Sequence, residues 1–118
     1  MLIYDLYEDK NGYQRLDIQI SRGDSGSIEV ELSGDTEIED GTPAIISVKR
    51  NIDEDGYLWQ KTKEIENGKL SIDLLPEETN IKPGAYIWDF RIKFSEVSIV
   101  SPILPSKFRI LGVVGNVE

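Results

Sequence analysis

Apolar residues along this chain recur at every second position rather than every third or fourth, which predicts strands and no long helix. The clearest case begins at Lys82-Pro83-Gly84, a turn signal, and runs through Tyr86, Trp88, Phe90, Ile92 and Phe94, with Asp89, Arg91 and Lys93 between them. Such alternation puts the aromatic set on a core face and the charged set in water. Leu16, Ile18 and Ile20 alternate with Asp17 and Gln19 in the same way, and Ile28, Val30 and Leu32 with Glu29 and Glu31. These two strands either pair as a hairpin or cross between sheets. Pro43 to Lys49 places Ala44, Ile46 and Val48 on one face, while Ile45 on the other implies partial burial there too.

Further strands are expected over Tyr57 to Ile65, Lys69 to Leu74, and around Phe108 and Ile110. Val97 to Leu104 is a poorer strand, because Pro102 and Pro105 would each remove a ladder donor and push it to an edge. Polar clusters separate the strands: Ser21 to Gly26, the acidic connection Ser33 to Thr42, the acidic tip Asp53 to Gly56, and Asn67-Gly68, a strong hairpin signal. Leu75 to Gly84 is expected to cross from one sheet to the other, with a single helical turn after Pro76. Short strands with turns at this spacing predict an all-β, immunoglobulin-like antiparallel sandwich of about eight or nine strands. Tyr86, near the start of the strand after the crossover, suits the corner tyrosine of such folds, whose hydroxyl bonds back to the connection. Its alternative is an ordinary core aromatic.

The chain of 118 residues suits one domain over 1–118, with 1–12 a possible edge strand or interaction arm and 112–118 a possible tail. With 22 acidic residues against 13 basic ones, the formal charge of -9 disfavours nucleic acid and anionic membranes as partners. The absence of cysteine rules out disulfides and thiolate metal sites, and the absence of histidine removes the usual general base near neutral pH. An enzyme is therefore not expected, and neither is a cofactor. No apolar run approaches the length of a membrane span, and the N-terminus lacks the form of a signal peptide. A soluble protein made in the cytoplasm is expected.

Each remaining candidate has a plainer explanation beside it. Arg22-Gly23-Asp24 matches an integrin-binding tripeptide, yet it also makes a tight polar turn. Asp35, Glu37, Glu39 and Asp40, and Asp53, Glu54 and Asp55, offer oxygen ligands for calcium without EF-hand spacing, so solvated loops serve equally. No pair of these carboxylates stands out as a glycosidase pair. Trp59 and Trp88 raise the prospect of a sugar platform, though Trp88 belongs to the buried set and Trp59 opens a strand. Leu2, Ile3, Tyr4, Leu6 and Tyr7 form an unusually apolar N-terminal segment, suited to pairing with a neighbouring chain. These five residues and Trp59 are the candidate interaction surface; no catalytic, cofactor-binding or metal-binding residue is assigned.

The order of Asp17-Ile18-Gln19-Ile20-Ser21-Arg22-Gly23-Asp24-Ser25, an acidic turn with an Ile-Ser-Val-Lys strand, Leu75-Pro76-Glu77-Glu78-Thr79 and Pro83-Gly84-Ala85-Tyr86-Ile87-Trp88-Asp89-Phe90 resembles a known family. It is similar, over about residues 16 to 111, to small β-sandwich structural proteins of tailed phages and prophages of Gram-positive bacteria, particularly the N-terminal domain of siphophage baseplate upper proteins. The resemblance implies a non-enzymatic virion component of a baseplate, tail or head fibre, in contact with other virion proteins as a homo-oligomer or a heteromeric assembly. The chain departs from the baseplate protein in ending near residue 118, without a long helical linker or a docking domain. A carbohydrate-binding accessory domain is the alternative.

Overall fold

The structure, a computed structural model, describes residues 1–32 and 37–115. Part of the acidic connection (33–36) and the end of the expected tail (116–118) lie outside the described residues. The others form β1 (Leu2–Glu8), β2 (Gln14–Ser21), β3 (Gly26–Glu31), β4 (Thr42–Lys49), β5 (Trp59–Ile65), β6 (Lys69–Leu74), α1 (Pro76–Thr79), β7 (Gly84–Ser95), β8 (Ser98–Val100) and β9 (Ser106–Leu111). The protein is all-β, and its pairing is compatible with a β-sandwich of two unequal sheets. A large sheet runs in the order β1-β2-β9-β7-β4-β5, with β8 paired to β7, and a two-stranded sheet of β3 and β6 lies apart from it. All neighbours are antiparallel except β2 and β9, which run parallel with Ile18 opposite Phe108.

Period-two alternation becomes burial strand by strand. Leu16, Ile18 and Ile20 of β2, Ala44, Ile46 and Val48 of β4, and Tyr86, Trp88, Phe90 and Ile92 of β7 share one core with Phe108 and Ile110 of β9. Ile28 and Val30 of β3 and Leu70, Ile72 and Leu74 of β6 close it from the other side. β2 and β3 therefore belong to different sheets, joined by the turn in which Gly23 adopts a φ of +81°. Asn67 and Gly68, at φ +54° and +70°, turn β5 into β6 and carry the chain from the large sheet to the small one. Two polar bonds fix depth within the core. The Trp88 indole donates to the Leu16 carbonyl at 2.8 Å, and the Tyr86 hydroxyl donates to the carbonyl of Lys82 in the preceding connection.

Several expectations need correction. Phe94 does not join the core: it is 39% exposed, because β7 runs past the end of β9 into a short hairpin with β8. The strand expected over Val97 to Leu104 shrinks to Ser98–Val100, and the stretch containing Pro102 leaves the sheet before β9. The strand expected from Tyr57 begins at Trp59, and Tyr57 stays exposed in the β4–β5 loop. The single helical turn after Pro76 is present, and its Thr79, fully buried, donates to the Asp24 carbonyl at 2.7 Å, tying the crossover to the β2–β3 turn.

Candidate functional site

The large sheet ends in two edges that differ in chemistry. β5 directs lysines across the core-facing side: Lys61 lies opposite Ile46 and Lys63 opposite Ala44. Lys61 Nζ reaches Glu78 Oε1 at 2.7 Å, and Lys63 Nζ lies 3.7 Å from Asp73 Oδ2. A charge pointing inward from an edge must be buried or stripped of its partner when another strand pairs there, so it blunts the edge.

β1 lacks that protection. Leu2, Tyr4 and Leu6 lie opposite Ile20, Ile18 and Leu16, so they share the core face. The small sheet does not extend over them: Tyr4 and Leu6 are 48% and 53% exposed, whereas their partners Ile18 and Leu16 are 2% and 1% exposed. Leu2 is half-buried against Gly26, where a Cβ would come 2.7 Å from Leu2 Cδ2. Ile3, on the opposite face, is also exposed. Among the described residues β1 pairs with β2 alone, leaving one side of its backbone without a strand.

The segment is nevertheless firmly held. Asp9 accepts the backbone N–H of Asn11 and of Tyr13 and the Nε–H of Arg15, at 2.9, 3.0 and 2.7 Å. The Arg15 guanidinium, with the Tyr13 and Asn11 amides, holds the Asp9 carboxyl below the usual carboxylate range. Tyr7 donates to Asp17 Oδ2 at 2.9 Å, and this bond, with burial and the charge of the carboxylate, raises the phenol above its ordinary value. Asp17 Oδ1 in turn accepts the Lys107 amide at 3.0 Å. β1 is thus an ordered strand with its register set, offering an apolar edge.

Of the six residues expected to form an interaction surface, Leu2, Ile3, Tyr4, Leu6 and Tyr7 come together on β1, while Trp59 sits on β5 at the other end of the sheet. The Trp59 ring packs edge-on against Phe108 at 6.1 Å, and its indole N–H donates to the Glu78 carbonyl at 3.0 Å. Both tryptophans thus use their indole N–H inside the fold. In the Arg22-Gly23-Asp24 turn, Arg22 Nε donates to Asn80 Oδ1 at 3.1 Å and Asp24 carboxylate pairs with the Met1 amino group. The Asp53-Glu54-Asp55 loop is organised around Asn51, whose side chain donates to Glu54 Oε1 and accepts the Asp53 amide. Among the described residues, no group of three or more acidic side chains is arranged to hold a metal ion, and no helix is long and apolar enough to cross a membrane. Asp35 lies outside the described residues.

A second feature is not legible in the sequence, because its residues come from separate strands. On the large sheet's outer face, a hollow of about 300 Å³ lies between the β4–β5 loop and the β8–β9 segment, floored by Ile45, Ile87 and Ile99. Asp89 opens into it. Burial pushes this carboxyl above its ordinary value, and Arg91 and Lys49 offset only part of the shift. Compared with protein-family models, curated proteins and solved structures, the chain matches none.

Proposed function

We propose that this chain is an immunoglobulin-like β-sandwich serving as a structural or assembly module of a tailed phage or prophage particle, acting through protein–protein contacts rather than catalysis. The immunoglobulin-like reading is supported by the pairing scheme: β3 with β6 in one sheet, β4 with β7 and β7 with β9 in the other, and β2 running parallel beside β9. The Tyr86 hydroxyl on the Lys82 carbonyl supports it too, since corner tyrosines bond back to the connection they follow. The large sheet carries more strands, and the small sheet fewer, than in an antibody domain.

The observation that carries the functional reading is the contrast between the two edges. β5 is blunted by inward-facing lysines, whereas β1, equally regular, keeps Tyr4 and Leu6 exposed on the corresponding face. An exposed apolar edge invites aggregation unless it has a partner, and strand addition is a recurrent mode of docking in assemblies. In this reading β1 receives a strand from a neighbouring virion subunit, and the added backbone bonds supply affinity while Tyr4 and Leu6 set the register. The test is immunogold microscopy of particles induced from the strain encoding the chain, with Tyr4→Lys/Leu6→Lys beside the parent. Label on tails or baseplates for the parent, and none for a variant that melts like it, is expected. Unlabelled parent particles, or a variant incorporated equally well, would refute the reading.

A further inference from the structure

The basic residues of this acidic chain are not evenly placed. Five of the thirteen form ion pairs: Arg15 with Asp9, Lys61 with Glu78, Lys63 with Asp73, Lys69 with Glu29, and Lys93 with Glu96. Lys49, Arg91 and Lys107 meet on the outer face of the large sheet, and none of the three has a carboxylate within ion-pair distance among the described residues. The register brings them together: Lys107 on β9 and Lys49 on β4 flank Ile87 of β7, and Arg91 lies opposite Ile45. Lys49 Nζ is steadied by the Glu54 carbonyl at 2.7 Å and lies 5.2 Å from the centre of the Tyr57 ring, while Arg91 Nε bonds Ser101 Oγ at 3.1 Å. Neutral oxygens orient these cations without cancelling their charge.

Lys49 and Arg91 line the aliphatic hollow floored by Ile45, Ile87 and Ile99, and Lys107 lies beside it, across from Ile87. Branched side chains on a solvent-facing sheet surface cost solubility unless something covers them, and a basic rim around an apolar floor matches an acidic ligand with an apolar anchor. The carboxylate in the lining, Asp89, is outnumbered by Lys49 and Arg91, so the hollow keeps an excess of positive charge in a chain with 22 acidic residues. The Asp89 carboxylate accepts no hydrogen bond from any described residue and is placed to take a backbone N–H of the docked segment. A phosphate backbone fits less well: it brings no aliphatic side chain to cover the floor, and Tyr57 already faces Lys49 instead of offering a free stacking surface.

We propose that the outer-face hollow lined by Lys49 and Arg91, with Lys107 across from its Ile87, is a docking site for an acidic segment of a partner protein that inserts one apolar side chain over Ile87. This surface is distinct from the β1 edge, so either can fail without the other. The probe is a labelled peptide of glutamates around a central leucine, followed by fluorescence anisotropy with the full chain. Its comparators replace the leucine by serine, replace the glutamates by lysines, or are a single-stranded oligothymidylate. Saturable binding of the leucine peptide that weakens with salt is expected, together with a loss of about tenfold or more in Lys49→Glu/Arg91→Glu, in Lys107→Glu alone and in Ile87→Ser. Lys107 is exposed, so Lys107→Glu keeps the test valid if the double variant melts early. Lys69→Glu, on the small sheet, is expected to bind like the parent. No saturable binding, equal binding of the serine peptide or the oligothymidylate, or an equal loss with Lys69→Glu would overturn the proposal.

Discussion

Trp88→Ala tests the assignment of the aromatic strand to the core. Trp88 is 2% exposed, lies on the central strand β7 between β4 and β9, and packs beside Phe90 with ring centres 6.1 Å apart. Truncating a buried aromatic of this size costs about 3 to 5 kcal/mol in lost burial and residual cavity. The Leu16 carbonyl also loses its indole donor, which adds about 1 kcal/mol. At about 4 °C per kcal/mol for a domain of this length, the melting temperature should fall by roughly 15 °C or more. Urea unfolding followed by far-UV circular dichroism measures the change, and Trp59 fluorescence provides a second probe whose transition should coincide with the first. Trp88→Phe separates the terms, since it keeps most of the volume and gives up the hydrogen bond; its expected cost is about 1 to 2 kcal/mol. A loss below about 1 kcal/mol for Trp88→Ala would refute the core assignment. Equal losses for the two variants would move the emphasis from volume to the bond with Leu16.

Gly26→Ala places a methyl 2.7 Å from Leu2 Cδ2, so the Leu2 side chain must swing aside and the packing that holds the start of β1 is loosened. Hydrogen exchange should speed up selectively at β1 amides, with global stability changed by about 1 kcal/mol or less; uniform acceleration throughout the sheet would contradict this. Asp89→Asn should raise the melting temperature at neutral pH. Burial raises the folded carboxyl above its unfolded value, so the charged form opposes folding, and that penalty disappears as pH falls through the folded pKa. The gain should therefore vanish in acid, and a gain independent of pH would exclude charge burial as its cause.

Much of the strand pattern is readable from the sequence because alternation is a local property. Leu16-Ile18-Ile20, Ala44-Ile46-Val48 and Tyr86-Trp88-Phe90-Ile92 each state their buried face without reference to any partner. Asn67-Gly68 likewise specifies its own turn through two positive φ angles. What escapes a local reading depends on distant pairing. Nothing near Ile18 signals that its neighbour is Phe108, and nothing near Phe94 signals that the cover ends before reaching it. The apolar N-terminal segment stands out in the sequence, but the feature that distinguishes β1 is that β5 carries Lys61 and Lys63 where β1 has Leu6 and Tyr4, and this requires knowing that both are edges. The basic hollow is harder still, since Lys49, Arg91 and Lys107 come from three strands and are masked by an overall negative charge.

The parallel alignment of β2 and β9 has a mechanical consequence. Tension drawing the chain apart through the start of β2 and the end of β9 pulls the two strands lengthwise past each other. The ladder linking Ile18 to Ser21 with Phe108 to Leu111 is then loaded all at once, and its bonds must give way together. β1, folded back antiparallel on β2 through a tight turn, is loaded when the pull comes instead from the N-terminus, and then it can peel away one rung at a time before the tension reaches β2. The chain therefore combines a sacrificial outer strand with an inner clamp, and a force-extension trace should show a small early release of β1 followed by a single, much higher rupture.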